Sequence, residues 1–221
     1  MSYSYYFDDK DWSYLVDLAI EIDNTYGSTK KNTGFTNQGN KNYSVHKQVI
    51  GLQGEFLFQY IFKGINNFQE INMEVYEHRG DGGVDNYLKD KSIEMKTSEN
   101  TVLPADIEVC LCGEIVTRPK HHLLAFPQKY ANGKYKLTTK KDVLFLFKAE
   151  ALDWRNKNMD ISHTNWENPN YKVTFCGFRS NRWCTENKQI VQLKSGPNLA
   201  WCENQLHKDV NDLINWINKE K

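Results

Sequence analysis

Three residues with the chemistry of a metal site lie within one short segment, residues 80–98. Asp85 is followed by eight residues, then by Glu94-Met95-Lys96. Side chains two residues apart on a β-strand project from the same face, so an extended segment would present Glu94 and Lys96 together. Carboxylate oxygens suit Mg²⁺, which typically takes one or two protein carboxylates and completes its shell with water and phosphate. The spacing therefore predicts a magnesium site served by a lysine.

Hydrolysis of a phosphodiester is one reaction that such a site could perform. It needs a nucleophile near neutral pH, stabilisation of the phosphate charge and a stabilised leaving oxygen. One or two metal ions held by Asp85 and Glu94 can supply most of this. Lys96, beside the metal, can orient the attacking water or stabilise the developing negative charge.

A β-hairpin is predicted to bring these residues together. Short strand patterns at residues 84–88 and 92–97 flank a Lys89-Asp90-Lys91 turn, and glycines at residues 80–83 precede them. The hairpin would place the acid of its first strand near the acid and lysine of its second. In the alternative interpretation, Glu94 and Lys96 are a solvent-facing pair on an edge strand and Asp85 is a turn residue.

A glutamate upstream is predicted to lie on a mostly buried helix. Residues 45–62 carry apolar side chains around much of a helical circumference, and such a helix is usually buried. Glu55 falls within it, and a carboxylate in that setting needs an ion, a hydrogen bond or a metal. Three- and four-residue apolar steps predict a first helix at residues 12–22 and a last one at residues 206–217.

The remaining apolar patterns predict an α/β (α+β) fold in one domain over residues 1–221. Four further strands are expected, at residues 71–75, 107–111, 143–147 and 171–178. The run at residues 143–147 is apolar throughout, which is typical of a central strand buried on both faces.

The Asp85 and Glu94-Met95-Lys96 pattern resembles the motif of the PD-(D/E)XK, or restriction-endonuclease-like, nucleases, with Val84 in place of the proline. The six residues 80–85, GDGGVD, look like the corresponding segment of Mrr-like and related restriction endonucleases. Gly54-Glu55 matches a glutamate that many members carry on an earlier core helix. The resemblance covers roughly residues 45–98, and the rest of the chain matches only in its coarse α/β order.

The resemblance implies a restriction-endonuclease-like core, which is a central mixed β-sheet flanked by helices. It also implies a metal-dependent DNA endonuclease of restriction or defence type. Mg²⁺, which Mn²⁺ can replace, would be bound by Asp85, Glu94 and the Met95 carbonyl, with Glu55 supporting the site and Lys96 acting on the water. Double-stranded DNA is the expected partner, and a palindromic target would imply a homodimer. Alternatives are a nuclease acting on RNA, branched DNA or free ends, a non-catalytic nucleic-acid-binding module of this fold, and an interaction protein.

Three segments outside the motif are candidates for contact with nucleic acid. Residues 26–44 are polar and are predicted to form a mobile loop, either a simple connector or a segment that orders on a phosphate backbone through Lys30 and Lys31. Basic and aromatic side chains of the other two segments could contact phosphates or bases, or could form solvated loops. They are Arg118 and Lys120 in the first, and Arg179, Arg182 and Trp183 in the second.

Composition narrows the possible partners. The formal net charge is +0, from 28 basic and 28 acidic residues, which argues against a domain that coats nucleic acid by bulk attraction. No apolar run has the length of a membrane span and no secretory signal is visible, so a cytoplasmic protein without a membrane partner is expected. The five cysteines include no CxxC pair, and reduced thiols are expected.

Overall fold

The computed structural model describes residues 3–26, 41–63, 86–99, 107–111, 114–118, 123–126, 128–131, 134–137, 140–149, 171–193 and 196–219. Its helices are α1 (Asp9–Tyr26), α2 (Lys41–Phe62), α3 (Asn181–Glu186) and α4 (Val210–Lys219). The first six strands are β1 (Ser4–Tyr6), β2 (Asn86–Leu88), β3 (Lys91–Glu99), β4 (Ile107–Leu111), β5 (Glu114–Arg118) and β6 (Leu123–Phe126). The others are β7 (Gln128–Ala131), β8 (Lys134–Leu137), β9 (Val143–Ala149), β10 (Lys172–Ser180), β11 (Ile190–Leu193) and β12 (Gly196–Cys202). The fold is mixed α/β.

The first sheet has five strands in the order β1-β10-β9-β3-β2. It is mixed, because β3 and β9 run parallel while the other neighbours are antiparallel. The middle strand, β9, is fully buried from Val143 to Phe147, which confirms the central strand predicted from its apolar run. Central strands of this kind hold their neighbours in fixed register, and β3 is one of those neighbours.

Helices cover one face of this sheet. Ile93 and Met95 of β3 belong to the same apolar core as Leu57 and Phe58 of α2. The ring of Phe58 meets Phe145 of β9 edge to face at 5.3 Å between centroids, an arrangement that aromatic pairs favour. Helix α1 packs on α2, and α4 adds its apolar stripe to the same core.

A second sheet, in the order β5-β4-β11-β12-β6, packs on the opposite face of the first through β12 and β6. Leu144 and Leu146 of β9 point to that face and form a second core with Leu199 and Trp201 of β12. Cys184 of α3 joins this core, and β6 lies against β3 and β9. The face of β3 opposite α2 is therefore directed toward a junction between two sheets.

Gly54 lets α2 approach β3 closely. A Cβ added at this glycine would overlap the hydroxyl of Thr97 on β3 and would lie 3.3 Å from the Phe147 ring. A Cβ added at Gly51, on the same helix, would meet nothing within 4 Å. The two glycines therefore differ in packing while sharing the conformational cost of glycine in a helix.

Gly54→Ala should destabilise the protein by about 1–3 kcal/mol, since an extra methyl group in a filled contact forces the helix away from the strand. Gly51→Ala should instead stabilise it by about 0.5–1 kcal/mol through helix propensity alone. Urea unfolding of both variants measures the two free energies. Equal effects at the two positions would contradict the close contact between α2 and Thr97.

The structure confirms several predicted elements and corrects others. The hairpin forms, with Leu88 paired to Lys91 across a two-residue turn in which Lys89 adopts a φ of 58°. Helix α2 begins at Lys41, so residues 41–44 of the predicted loop are helical. The start of the helix was missed because its first turn is mostly polar, and the prediction relied on the spacing of apolar residues. Helix α4 begins at Val210 and excludes Leu206, which follows a 3₁₀ turn at Glu203–Gln205 and packs in the second core. The strand predicted at residues 71–75 and the turn at 80–83 lie outside the described residues.

The strands at residues 107–111 and 171–178 correspond to β4 and β10, and the helix at 12–22 to α1. Strands β1, β5, β6, β7, β8, β11 and β12 and helix α3 were not predicted. None of the helices described is both long and apolar enough to cross a bilayer.

Candidate functional site

Glu94 and Lys96 lie on the same face of β3, as their spacing predicts. Met95 between them points the other way and is 7% exposed in the helix-side core. The alternation follows from strand geometry, since successive side chains project to opposite faces. The burial of Ile93 and Met95 therefore fixes Glu94 and Lys96 on the face directed toward the second sheet.

The register of β3 on β9 is fixed at the start of the strand. The backbone N–H and the hydroxyl of Ser92 both donate to a carboxylate oxygen of Asp142, each at 2.8 Å. In the resulting parallel register Glu94 lies beside Leu144 and Lys96 beside Leu146. Both leucines are fully buried, so Glu94 and Lys96 have apolar neighbours on the side of β9.

The two charged side chains form an ion pair. Lys96 Nζ donates to Glu94 Oε1 at 2.5 Å, and the side chains are 39% and 15% exposed, respectively. A charge-assisted hydrogen bond is stronger than a neutral one, and partial burial reduces its screening by water. The sheet therefore carries a mostly buried carboxylate held against a more exposed ammonium group.

Glu55 is half-buried on α2, next to Gly54. Because Gly54 packs on Thr97, and Thr97 alternates with Lys96, α2 covers the face of β3 opposite Glu94 and Lys96. Strand β2 pairs only with Lys91–Ile93, so from Glu94 onward the outer edge of β3 has no strand partner among the described residues. Glu55 and the ion pair thus lie on different faces of β3. Beyond Ile93, β2 does not cover the outer edge of this strand.

Arg179 lies in the same row of the sheet as Glu94, because each pairs with Leu144 from opposite sides. Its guanidinium donates to the Gln205 carbonyl through Nε at 2.6 Å and through Nη2. It also stacks 4.0 Å from the centroid of the Trp183 ring, and burial lowers its pKa. Arg179 therefore ties the segment after β12 to the first sheet, a contact between distant parts of the chain that the sequence did not reveal.

Arg182 and Trp183 differ in how far solvent reaches them. The Arg182 side chain is 87% exposed, and its Nε donates to Glu186 at 2.9 Å across one turn of α3. Trp183 is half-buried, and its ring lies 6.4 Å from that of Trp201. Arg182 is accessible to a large partner, whereas Trp183 packs between Arg179 and Trp201.

Several predicted site residues lie outside the described part of the chain. They are Asp85, Lys30, Lys31 and Lys120. Arg118 is within the described part, as the last residue of β5. In the described ranges no three His, Cys, Asp or Glu side chains converge closely enough to hold an ion. Because Asp85 is not in those ranges, the predicted three-residue site is only partly described: the structure brings Glu94 and Lys96 together.

Two buried cysteines, Cys176 and Cys184, belong to the second core, and Cys202 is also a buried thiol. Burial raises the pKa of Cys176 and of Cys184 to about 12, helped at Cys176 by the nearby Glu203 carboxylate. A thiol with such a pKa is protonated at neutral pH and is therefore a poor nucleophile and metal ligand.

A second ion pair lies on the same face of the sheet and was not anticipated. Lys148 of β9, which is opposite Ser98 of β3, lies 3.7 Å from Glu203 of the 3₁₀ turn. Its side chains are 30% and 25% exposed, close to the values of the Glu94–Lys96 pair. The sequence carries no local signal for it, because its partners are 55 positions apart.

Comparison of this chain with protein-family models, with curated proteins and with solved structures gave no match.

Proposed function

We propose that the chain is a Mg²⁺-dependent nuclease of the PD-(D/E)XK class, with a restriction-endonuclease-like core, that hydrolyses phosphodiester bonds in double-stranded DNA. The observation that carries the proposal is the pairing of Glu94 with Lys96 on one face of the second strand of a hairpin. The motif requires this arrangement, and the strand is held parallel to a buried central strand with a helix packed on it.

Chain connectivity keeps Asp85 near this pair. Asp85 is bonded to Asn86, which pairs with Ile93, the residue before Glu94. Asp85 therefore enters the proposal from its place in the sequence motif, directly before the first strand of the hairpin.

The donor set fits Mg²⁺ or Mn²⁺ in type, because it consists of carboxylate and carbonyl oxygens. Asp85, Glu94 and the Met95 carbonyl would hold the ion, which when bound stabilises phosphate charge and makes water more acidic. Glu94 is held in place by the register of β3. Lys96 would present its ammonium to the attacking water or a phosphate oxygen.

Glu55 would support the metal site by reaching past the outer edge of β3, beyond the part of that edge that pairs with β2. Glu55→Gln should therefore raise the Mg²⁺ concentration needed for half-maximal cleavage by about tenfold, within the range known for residues that orient metal ligands. A Mg²⁺ titration of cleavage measures this, with Glu21→Gln, at an exposed position of α1, as the matched control. An unchanged titration in Glu55→Gln would mean that Glu55 has a purely structural role.

Recognition of DNA would rest on local contacts, since the formal net charge is +0. The exposed Arg182 on α3 and the lysines at residues 30 and 31 are the proposed phosphate contacts. A palindromic target would be met by a homodimer with one site on each strand. A role in restriction or defence is part of the proposal, as the GDGGVD segment favours it.

A cleavage assay on three substrates tests the proposed function. Supercoiled plasmid, linear duplex and single-stranded RNA would each be incubated with purified protein and Mg²⁺, Mn²⁺ or EDTA. Metal-dependent cutting of duplex DNA is expected, and fixed plasmid fragments would indicate sequence-specific restriction. Cutting of RNA alone would indicate that the protein is a ribonuclease and not a DNA endonuclease. No cutting of any substrate would favour a non-catalytic binding module of the same fold.

A further inference from the structure

A row of polar residues crosses one end of the first sheet, next to the candidate site. Tyr87 of β2 pairs with Ser92 of β3. The Asp142 N–H donates to the Ser92 carbonyl at 3.0 Å, and the Asn181 N–H donates to the Asp142 carbonyl at 2.9 Å. Neighbouring strands are about 4.8 Å apart, so this polar row of four residues spans about 14 Å from β2 to the start of α3. Glu94 lies on the same face as Ser92, about 7 Å farther along β3.

Tyr87 begins the polar row with an exposed aromatic side chain. It is 40% exposed, whereas Asn86 and Leu88 on either side of it are buried. This alternation places Tyr87 on the face that carries Ser92 and Glu94, since paired residues of antiparallel strands share a face. Within the described ranges, neither the ring nor the hydroxyl of Tyr87 has a hydrogen-bond or aromatic partner. Both are therefore directed to solvent beside the candidate site.

The other end of the polar row carries exposed positive charge. Arg182, the second residue of α3, has a side chain that is 87% exposed. Lys140, two residues before Asp142, is also exposed. One carboxylate oxygen of Asp142 accepts both donors of Ser92. Glu186 pairs with Arg182 in solvent, and such a pair is weak, so a phosphate can take the place of Glu186 with similar charge-assisted bonds.

The outer face of α1 has the opposite charge. Asp9, Asp17 and Glu21 are exposed along it. Helix α1 packs on α2, which covers the face of the first sheet opposite Glu94. A polyanion is repelled from α1 and attracted to the end of the sheet that carries Arg182.

We infer that the polar row is the surface on which a nucleic-acid backbone lies, with Tyr87 bound to the sugar and phosphate of one nucleotide and Arg182 to a phosphate farther along. The inference rests on the proposed function and names the substrate-binding surface of the same site. Tyrosine and arginine side chains are common donors to phosphate oxygens. A span of about 14 Å corresponds to about four base steps of B-form DNA.

Binding of a random-sequence DNA duplex in EDTA tests this surface without cleavage. Tyr87→Ala should raise the Kd by about fivefold or more, because a hydrogen bond to a charged phosphate is lost. The slope of log Kd against log salt should not change, since the lost side chain is uncharged. Arg182→Gln should also weaken binding and should reduce that slope by about 0.9, the value of one phosphate contact. Fluorescence anisotropy at several salt concentrations measures both quantities, and circular dichroism checks the fold.

Tyr14→Ala and Lys10→Gln, both on α1, are the matched controls. Tyr14 is an exposed tyrosine and Lys10 an exposed cation on the acidic helix. Each variant should bind the duplex within about twofold of the wild type, as is usual for surface substitutions away from a contact.

A photocrosslink locates the contact directly. Duplex DNA containing bromodeoxyuridine should crosslink to the wild-type tryptic peptide of residues 80–89, whose one aromatic residue is Tyr87. Mass spectrometry identifies the peptide. Crosslinks confined to the peptide of residues 11–30, which contains Tyr14, would overturn the inference.

The outcomes separate this inference from the proposed function. Weaker binding in Tyr87→Ala at an unchanged salt slope, with the expected crosslink, would support it. Binding by Tyr87→Ala as tight as that of the wild type, or an equal loss in Tyr14→Ala, would overturn the inference alone. A wild type that does not bind DNA would overturn the nucleic-acid partner of the proposed function and the inference with it. The expected binding without any metal-dependent cleavage would support the surface and overturn the nuclease.

Discussion

Lys96→Met should lower Mg²⁺-dependent cleavage of duplex DNA by about 10²–10³-fold while leaving the fold intact. The methionine keeps most of the volume of the side chain but removes the charge that acts on the water or the phosphate. The loss should appear in kcat, because the lysine is proposed to act on the charge that develops in the transition state. Steady-state cleavage of a fluorescent duplex gives kcat and KM separately.

The control for this variant is Lys148→Met. Lys148 also pairs with a glutamate on the same face of the sheet but lies one strand away, opposite Ser98. It should keep cleavage within about twofold of the wild type, as is usual when a partly exposed ion pair is removed. Equal losses in the two lysine variants would indicate a general effect of charge and would contradict a specific role for Lys96.

Glu94→Gln should abolish both Mn²⁺ binding and cleavage, with cleavage falling by about 10³-fold or more. The amide matches the carboxylate in shape but lacks its charge, so the oxygen donor that holds the cation becomes weak. Calorimetry and the cleavage assay measure the two losses on one preparation.

Glu203→Gln provides the matched comparison, because Glu203 is the acid of the other ion pair on this face. Its cleavage and its Kd for Mn²⁺ should stay within about twofold of the wild type. If Glu94→Gln kept full cleavage, or if both glutamine variants lost it equally, Glu94 would not be a metal ligand. Glu94 and Glu203 would then be equivalent structural acids.

The hairpin and the orientation of its charged residues could be predicted because they depend on local pattern. A two-residue side-chain period and a polar turn determine the β2–β3 pairing, and the burial of Ile93 and Met95 then decides the direction of Glu94 and Lys96. The central strand β9 was predictable for a similar reason, since its apolar residues need cover on both faces. Local pattern therefore predicted the positions of one acid and the lysine of the candidate site.

The second sheet could not be predicted, because its pairings are not local. Strand β12 pairs with β6 across more than 70 positions, and β11 pairs with β4 across about 80. Neither pairing can be detected from the residue pattern of a short sequence segment. The same limit applies to Arg179. Its neighbours in sequence indicated a contact with nucleic acid, which stays a prediction, but they gave no sign that its guanidinium donates to the carbonyl of Gln205, 26 positions away.

The placement of Glu55 shows a further limit. Sequence order and an apolar helix predicted an acid near the motif, and the contact between Gly54 and Thr97 does bring α2 onto β3. The helix lies on the face opposite Glu94, which only the packing of α2 on the sheet reveals. A role of Glu55 in the proposed metal site therefore depends on access around the edge of β3.

Metal-dependent cleavage of supercoiled plasmid by purified wild-type protein, Asp85→Asn and Lys96→Ala is the most direct test of the central claim, that Asp85, Glu94 and Lys96 form one nuclease site. We expect the wild type to cut with Mg²⁺ or Mn²⁺ and not with EDTA, and both variants to be folded but inactive. Full activity in either folded variant would contradict the assignment of the site.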